Sequence, residues 1–125
     1  EAGDNFWIIS ELARQIIEAF AAKTTDIVPA KVFVRRDGSD EAAAARWLCD
    51  VIDFEDCIDE QASEINWVVN APRYDAVGSK FVFKPIEPRI HLFRLLKAPE
   101  IVVCSAEMQA ALHAAGLTGL VFRQF

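Results

Sequence analysis

Residues Arg46 to Glu64 read RWLCDVIDFEDCIDEQASE. The first half alternates as an extended chain does. Trp47, Cys49 and Val51 fall on one side, and Leu48, Asp50, Ile52 and Phe54 on the other, which predicts a strand from Arg46 to Phe54. The second half is the most acidic part of the chain. From Asp50 to Glu64 stand seven carboxylates (Asp50, Asp53, Glu55, Asp56, Asp59, Glu60, Glu64) and no Lys or Arg, the next base being Arg73. Residues 55–64 lack strand alternation and read as a short acidic helix or an ordered loop. The stretch suggests a compact α+β domain that presents an acidic face.

On the upstream side, Ile27 to Arg36 reads as a strand whose Pro29, lacking an N–H, confines it to an edge or entry position. Asp37-Gly38 marks a turn. The following EAAAA is a helical turn or an insertion in that loop. On the downstream side, Ile65 to Val69 is a strand, and Asn70 to Lys80, with Pro72 and Gly78, is a loop or long hairpin connection. Phe81 to Phe83 is a further strand. Ile90 to Leu96 is strand or short helix, and Pro99 closes it.

The two ends repeat one pattern. FWII, Ser10 and ELARQIIEAFAA lead into Ile27; EIVVC, Ser105 and AEMQAALHAAG lead into LTGLVF. Each reads as strand, serine N-cap, amphipathic helix, strand. Leu12, Ala13, Ile16, Ile17, Phe20 and Ala21 keep helical spacing in the first helix, as do Met108, Ala111, Leu112 and Ala115 in the second. Gly116 stands where a left-handed stop belongs. The expected fold is α+β: a mixed sheet with two strand–helix–strand units, N- and C-terminal, flanking a central antiparallel strand region. The two units suggest a weak internal duplication.

The 125 residues are 53% apolar with nine Phe and three Trp, enough for one packed domain spanning 1–125. The chain opens at Glu1 without Met, which suggests a fragment of something longer. The net charge of −6 disfavours nucleic acid and anionic membrane as partners and suits a basic protein. No apolar run is long enough to span a bilayer. Cys49, Cys57 and Cys104 are an odd count with no CxxC, which points to a reducing, cytoplasmic setting and buried thiols.

Catalytic signatures are sparse. The cysteines with His91 and His113 match no nucleophile or metal spacing, and no phosphate-binding glycine loop occurs. The acidic run lacks the DxDxDG pattern of a calcium loop. Trp47, Trp67 and Phe93 read as core. Arg94, set between Phe93 and Leu95, needs a carboxylate if buried, and Asp50 or Asp53 are the candidates for a structural ion pair. Asp53, Glu55, Asp56, Asp59, Glu60 and Glu64 are the candidate partner-binding residues.

These residues carry a resemblance. Asp50, Asp53, Asp59 and Ser63, then Leu92-Phe93-Arg94, Ser105 and the GLTGLVF of residues 116–122, resemble the bacterial polymorphic-toxin immunity proteins, eleventh class. The DGSDEAAAA segment departs from the plainer strand connection of that family, and its members resemble longer chains. The resemblance implies a protein that binds and neutralises a cognate toxin inside the producing cell or its kin, with no catalytic residues and no cofactor. The acidic run would dock on a basic toxin surface and occlude it. The alternatives are a small enzyme using Cys49 or Cys104, and a structural or regulatory domain of a larger protein.

Overall fold

The computed structural model describes residues 6–30, 33–36, 39–42, 46–117 and 122. In chain order the elements are β1 (Trp7–Ile9), α1 (Glu11–Ala21), β2 (Thr25–Ala30), β3 (Phe33–Arg36), β4 (Ser39–Ala42), β5 (Arg46–Val51), β6 (Phe54–Glu55), β7 (Glu64–Trp67), β8 (Tyr74–Lys80), β9 (Leu92–Leu95), β10 (Ala98–Cys104) and α2 (Ala106–Ala114). The fold is α+β. Among the described residues the strands form two three-stranded sheets, β1-β5-β2 and β10-β9-β6, and two hairpins, β3-β4 and β7-β8. The first sheet is antiparallel. The second is mixed, because β6 runs parallel to β9 and β10 antiparallel to it. The expected single mixed sheet is thus divided.

Both helices start as their serines dictate. Ser10 Oγ accepts from Ala13 N at 3.2 Å, and Ser105 Oγ from Met108 N at 3.1 Å. Each bond satisfies an amide that the first turn leaves without a helical partner. α1 buries Ala13, Ile17 and Ala21, whereas Leu12, at the flank of the stripe, stays 46% exposed. The Thr25 hydroxyl donates to the Ala21 carbonyl at 2.7 Å, which ties the helix end to β2. α2 buries Met108 and Leu112. Gly116 follows it at φ +70°, with nothing within 4 Å of where a Cβ would stand, so its conformation is the reason for glycine there.

The N-terminal strand–helix–strand unit is split. β1 and β2 both lie antiparallel to β5, one on each side, so they run parallel with β5 between them. β2 is an edge strand, where Pro29 is tolerated. The last strand expected in the C-terminal unit falls largely outside the described residues.

Two apolar clusters share β9 as their wall. Ile9, Ala13, Ile17, Cys49, Val51, Leu92, Met108 and Leu112 belong to the first. Cys57, Ile58, Tyr74, Phe81, Phe93, Leu95 and Ala98 belong to the second. Alternation along β9 explains the division: Leu92 faces one cluster, Phe93 and Leu95 the other, and all four strand residues are buried.

Several expectations need correction. The strand from Arg46 breaks after Val51 and resumes at Phe54 in the other sheet. Of the two forms expected for residues 55–64, the ordered loop is the one found: Glu55 lies in β6, Ile58 bridges Phe83, and a turn follows. Of the FVF run only Phe83 makes that bridge. Asn70 to Lys80 is mostly strand, since β8 pairs with β7. Glu41 and Ala42 of the EAAAA run pair with Val34 and Phe33 in a hairpin, so tertiary pairing overrides alanine's helical preference. Pro99 lies within β10, at the register shift between Ala98 and Val102, where no ladder N–H is needed. Trp67 is 45% exposed and packs edge-on against Tyr74.

Candidate functional site

Asp50, Asp53 and Arg94 meet where the two sheets join. Arg94 is 1% exposed. Its Nε donates to the Val51 carbonyl at 2.6 Å, Nη1 to the Pro99 carbonyl at 2.8 Å and Nη2 to Asp50 Oδ1 at 3.1 Å. Its backbone N donates to the Asp53 carbonyl at 2.8 Å. A guanidinium offers five donors, and a site this closed is tolerable because acceptors surround it. Asp50 keeps partial exposure, so its charge remains hydrated.

The carboxylates beyond Asp50 divide by their partners. Asp59 Oδ1 accepts from Gln61 N at 3.2 Å and Ala62 N at 3.1 Å, closing the turn before β7. Ser63 Oγ then accepts from Val82 N at 2.7 Å. Glu60 Oε2 accepts from Lys97 Nζ and from the Tyr74 hydroxyl, both at 2.7 Å. Lys97, then Tyr74, hold the Glu60 carboxyl below the usual range, while burial and Glu60 push the Tyr74 hydroxyl up. Glu64 lies 3.7 Å from Lys80 across the β7-β8 hairpin.

Asp53, Glu55 and Asp56 differ. Among the described residues none has a cation within 4 Å. Asp53 and Glu55 stand two apart on an extended chain and so on the same side of it. A carboxyl hydrogen bond with Asp53, then burial, then the Asp53 charge raise Glu55 above the usual carboxylate range. Asp53 Oδ2 is buried without a hydrogen-bond partner. Asp56 is exposed. The acidic run is therefore part scaffold and part accessible charge, a distinction that spacing alone does not carry.

The thiols offer no contrary chemistry. Burial, with Asp50 second, pushes Cys49 up to about 11, and burial also raises Cys57 and Cys104. A thiol is nucleophilic as thiolate, so these are held in the inert form. All three are unpaired. His91 Nδ1 sits 2.8 Å from Ser105 Oγ, and its ring meets Phe20 edge-on. A cavity of about 730 Å³ opens between the helices and strands of both sheets; Ile9, Ala13, Met108 and Leu112 give it mainly apolar walls, with Ser10, Arg46 and Cys104 also on its lining. Among the described residues no group of three His, Cys, Asp or Glu side chains could hold a metal ion. No described helix is long and apolar enough to cross a membrane.

The chain belongs to the immunity protein family (Imm11), whose model matches residues 1–125. Membership implies toxin neutralisation, and proteins of this kind are typically not enzymes. Nothing among the curated proteins matches.

Proposed function

We propose that the chain neutralises its cognate toxin by direct occlusion, with the acidic run as part of the contact and a basic toxin surface as its complement. The observation that carries this reading, beside family membership, is the set Asp53, Glu55 and Asp56. These carboxylates crowd one short segment without a cation in salt-bridge range among the described residues. Like charges held together raise the free energy of the isolated chain, and an incoming cation lowers it. Asp59, Glu60 and Glu64 extend the negative field while also holding the scaffold. Charge complementarity speeds association, and apolar anchors slow dissociation. Action in the cytoplasm accords with three unpaired cysteines.

The test is to co-express the chain with the toxin domain encoded by the neighbouring gene and to measure rescue of growth and affinity against salt. Rescue, with affinity falling as salt rises, is the expected result. Glu55→Lys with Asp56→Lys should cost at least tenfold in affinity and flatten the salt slope. An unchanged slope would remove the acidic run from the contact.

A further inference from the structure

Among the described residues, the first sheet has an outer face that is open. Its inner face carries Trp7, Ile9, Ile27, Trp47, Cys49 and Val51 against the helices. The alternate residues point away. In the register of the sheet, Ile8 lies opposite Leu48, and Leu48 opposite Val28, so the three form one row across all three strands. Ile8 is 58% exposed and Val28 44%. A half-covered antiparallel sheet ordinarily turns polar side chains outward. A cross-strand row of isoleucine, leucine and valine does the opposite, without serving either core.

The next row is acidic. Asp26 lies opposite Asp50, an arrangement that costs stability because like charges face each other. Arg94 engages Asp50 from behind, while Asp26 is exposed and, among the described residues, has no cation in salt-bridge range. From Asp50 the chain continues through Ile52, 50% exposed, to the Asp53–Glu55 pair. An apolar row thus borders an acidic one, the layout of an interface with an anchor and a charged rim.

We propose that the open face of the β1-β5-β2 sheet is the docking surface for the toxin, with Ile8, Leu48 and Val28 as anchor and Asp26 and Asp50 as rim. This rests on the toxin-binding reading above and adds where the contact lies. The occupant is a basic protein surface that presents an apolar side chain. Charge argues for it over a second copy of the chain, which would bring −6 against −6. Strand addition at the β2 edge is disfavoured, since Pro29 lacks an N–H that a new strand would need.

The experiment titrates the purified chain with the neighbouring gene's toxin domain at low and high salt. Val28→Lys and Ile8→Ser should each weaken binding at least a hundredfold. Asp26→Lys should weaken it about tenfold at low salt, mainly through slower association. Val69→Lys, 83% exposed elsewhere, should bind as wild type. As a readout that does not depend on these variants folding, hydrogen exchange of the wild-type complex should show new protection in β1 and β2. Tight wild-type binding with Val28→Lys and Ile8→Ser both within threefold of it, or no protection in β1 and β2, overturns the location and leaves the function standing. A wild-type chain that fails to bind overturns both. A wild-type dimer dispersed by Val28→Lys assigns the face to a second copy and also overturns the proposal.

Discussion

β6 and β9 lie side by side in the mixed sheet, and they treat charge in opposite ways. Arg94 of β9 is enclosed, and its side chain donates to two carbonyls and a carboxylate. Glu55 of β6, paired in register with Leu95, sits beside Asp53 with no cation in salt-bridge range among the described residues. One strand uses its charge to join two sheets. The other presents charge that folding does not use and even opposes. A sequence-level count of charges treats the two alike, and only the partners separate them.

The sharpest way to break the comparison is Arg94→Met. It keeps much of the bulk but leaves the Val51 and Pro99 carbonyls and Asp50 without their donor. Urea unfolding should show a loss of about 3–5 kcal/mol; a loss below about 1 kcal/mol would mean the guanidinium is not the joint. Asp50→Ala removes one acceptor from the buried cation and leaves both carbonyl contacts, so the expected loss is smaller, about 1–3 kcal/mol. A double-mutant cycle between the two should give clear coupling.

Two carboxylates of the acidic run should show opposite pH signatures. Lys97 lowers Glu60's pKa on folding, so its contribution is present above the unfolded carboxylate range and is lost as pH falls through the depressed folded value. Glu60→Gln should therefore lower Tm at pH 7, with the difference from wild type closing in acid. Glu55 is raised, so its favourable contribution exists below the unfolded range and is lost as pH rises through the folded value. Glu55→Gln should raise Tm slightly at pH 7 and leave it unchanged near pH 3. Thermal scans across pH decide both, and two profiles of the same sign would erase the distinction between engaged and unengaged carboxylates.

The elements governed by local chemistry were legible. A serine before an apolar i, i+3, i+4 stripe announced both helices, and the alternation of Trp47, Cys49 and Val51 announced the inner face of β5. The position of Arg94 in an apolar run called for an acceptor, and Asp50 lies 3.1 Å away. Elements governed by distant partners were not legible. β8 contains Asp75, Gly78 and Ser79 and looks like loop. It is a strand because it pairs antiparallel with β7, Tyr74 opposite Trp67 and Lys80 opposite Glu64; at the irregularity between them Asn66 N donates to Ser79 Oγ at 2.9 Å and Asn66 Nδ2 to the Val77 carbonyl at 3.0 Å, while Gly78 takes φ +83°. The outer face of the first sheet was equally hidden. Ile8, Val28 and Leu48 belong to separate segments, and only the register places them in one row.

The residues through which the chain resembles its family are mostly builders. Asp50 pairs with Arg94, Asp59 and Ser63 shape a turn, Ser105 caps a helix and Gly116 ends it. None of these positions lies in the row of Ile8, Leu48 and Val28.

The crossing of the chain between sheets at Ile52–Asp53 has a mechanical consequence. Ile52 N donates to the Thr24 carbonyl at 2.9 Å, and the Asp53 carbonyl accepts from Arg94 N at 2.8 Å, so consecutive residues are stitched to different halves of the molecule. Melting either half tugs directly on the other. Calorimetry should accordingly register one sharp transition, and a nick in this linker should bring down both halves together.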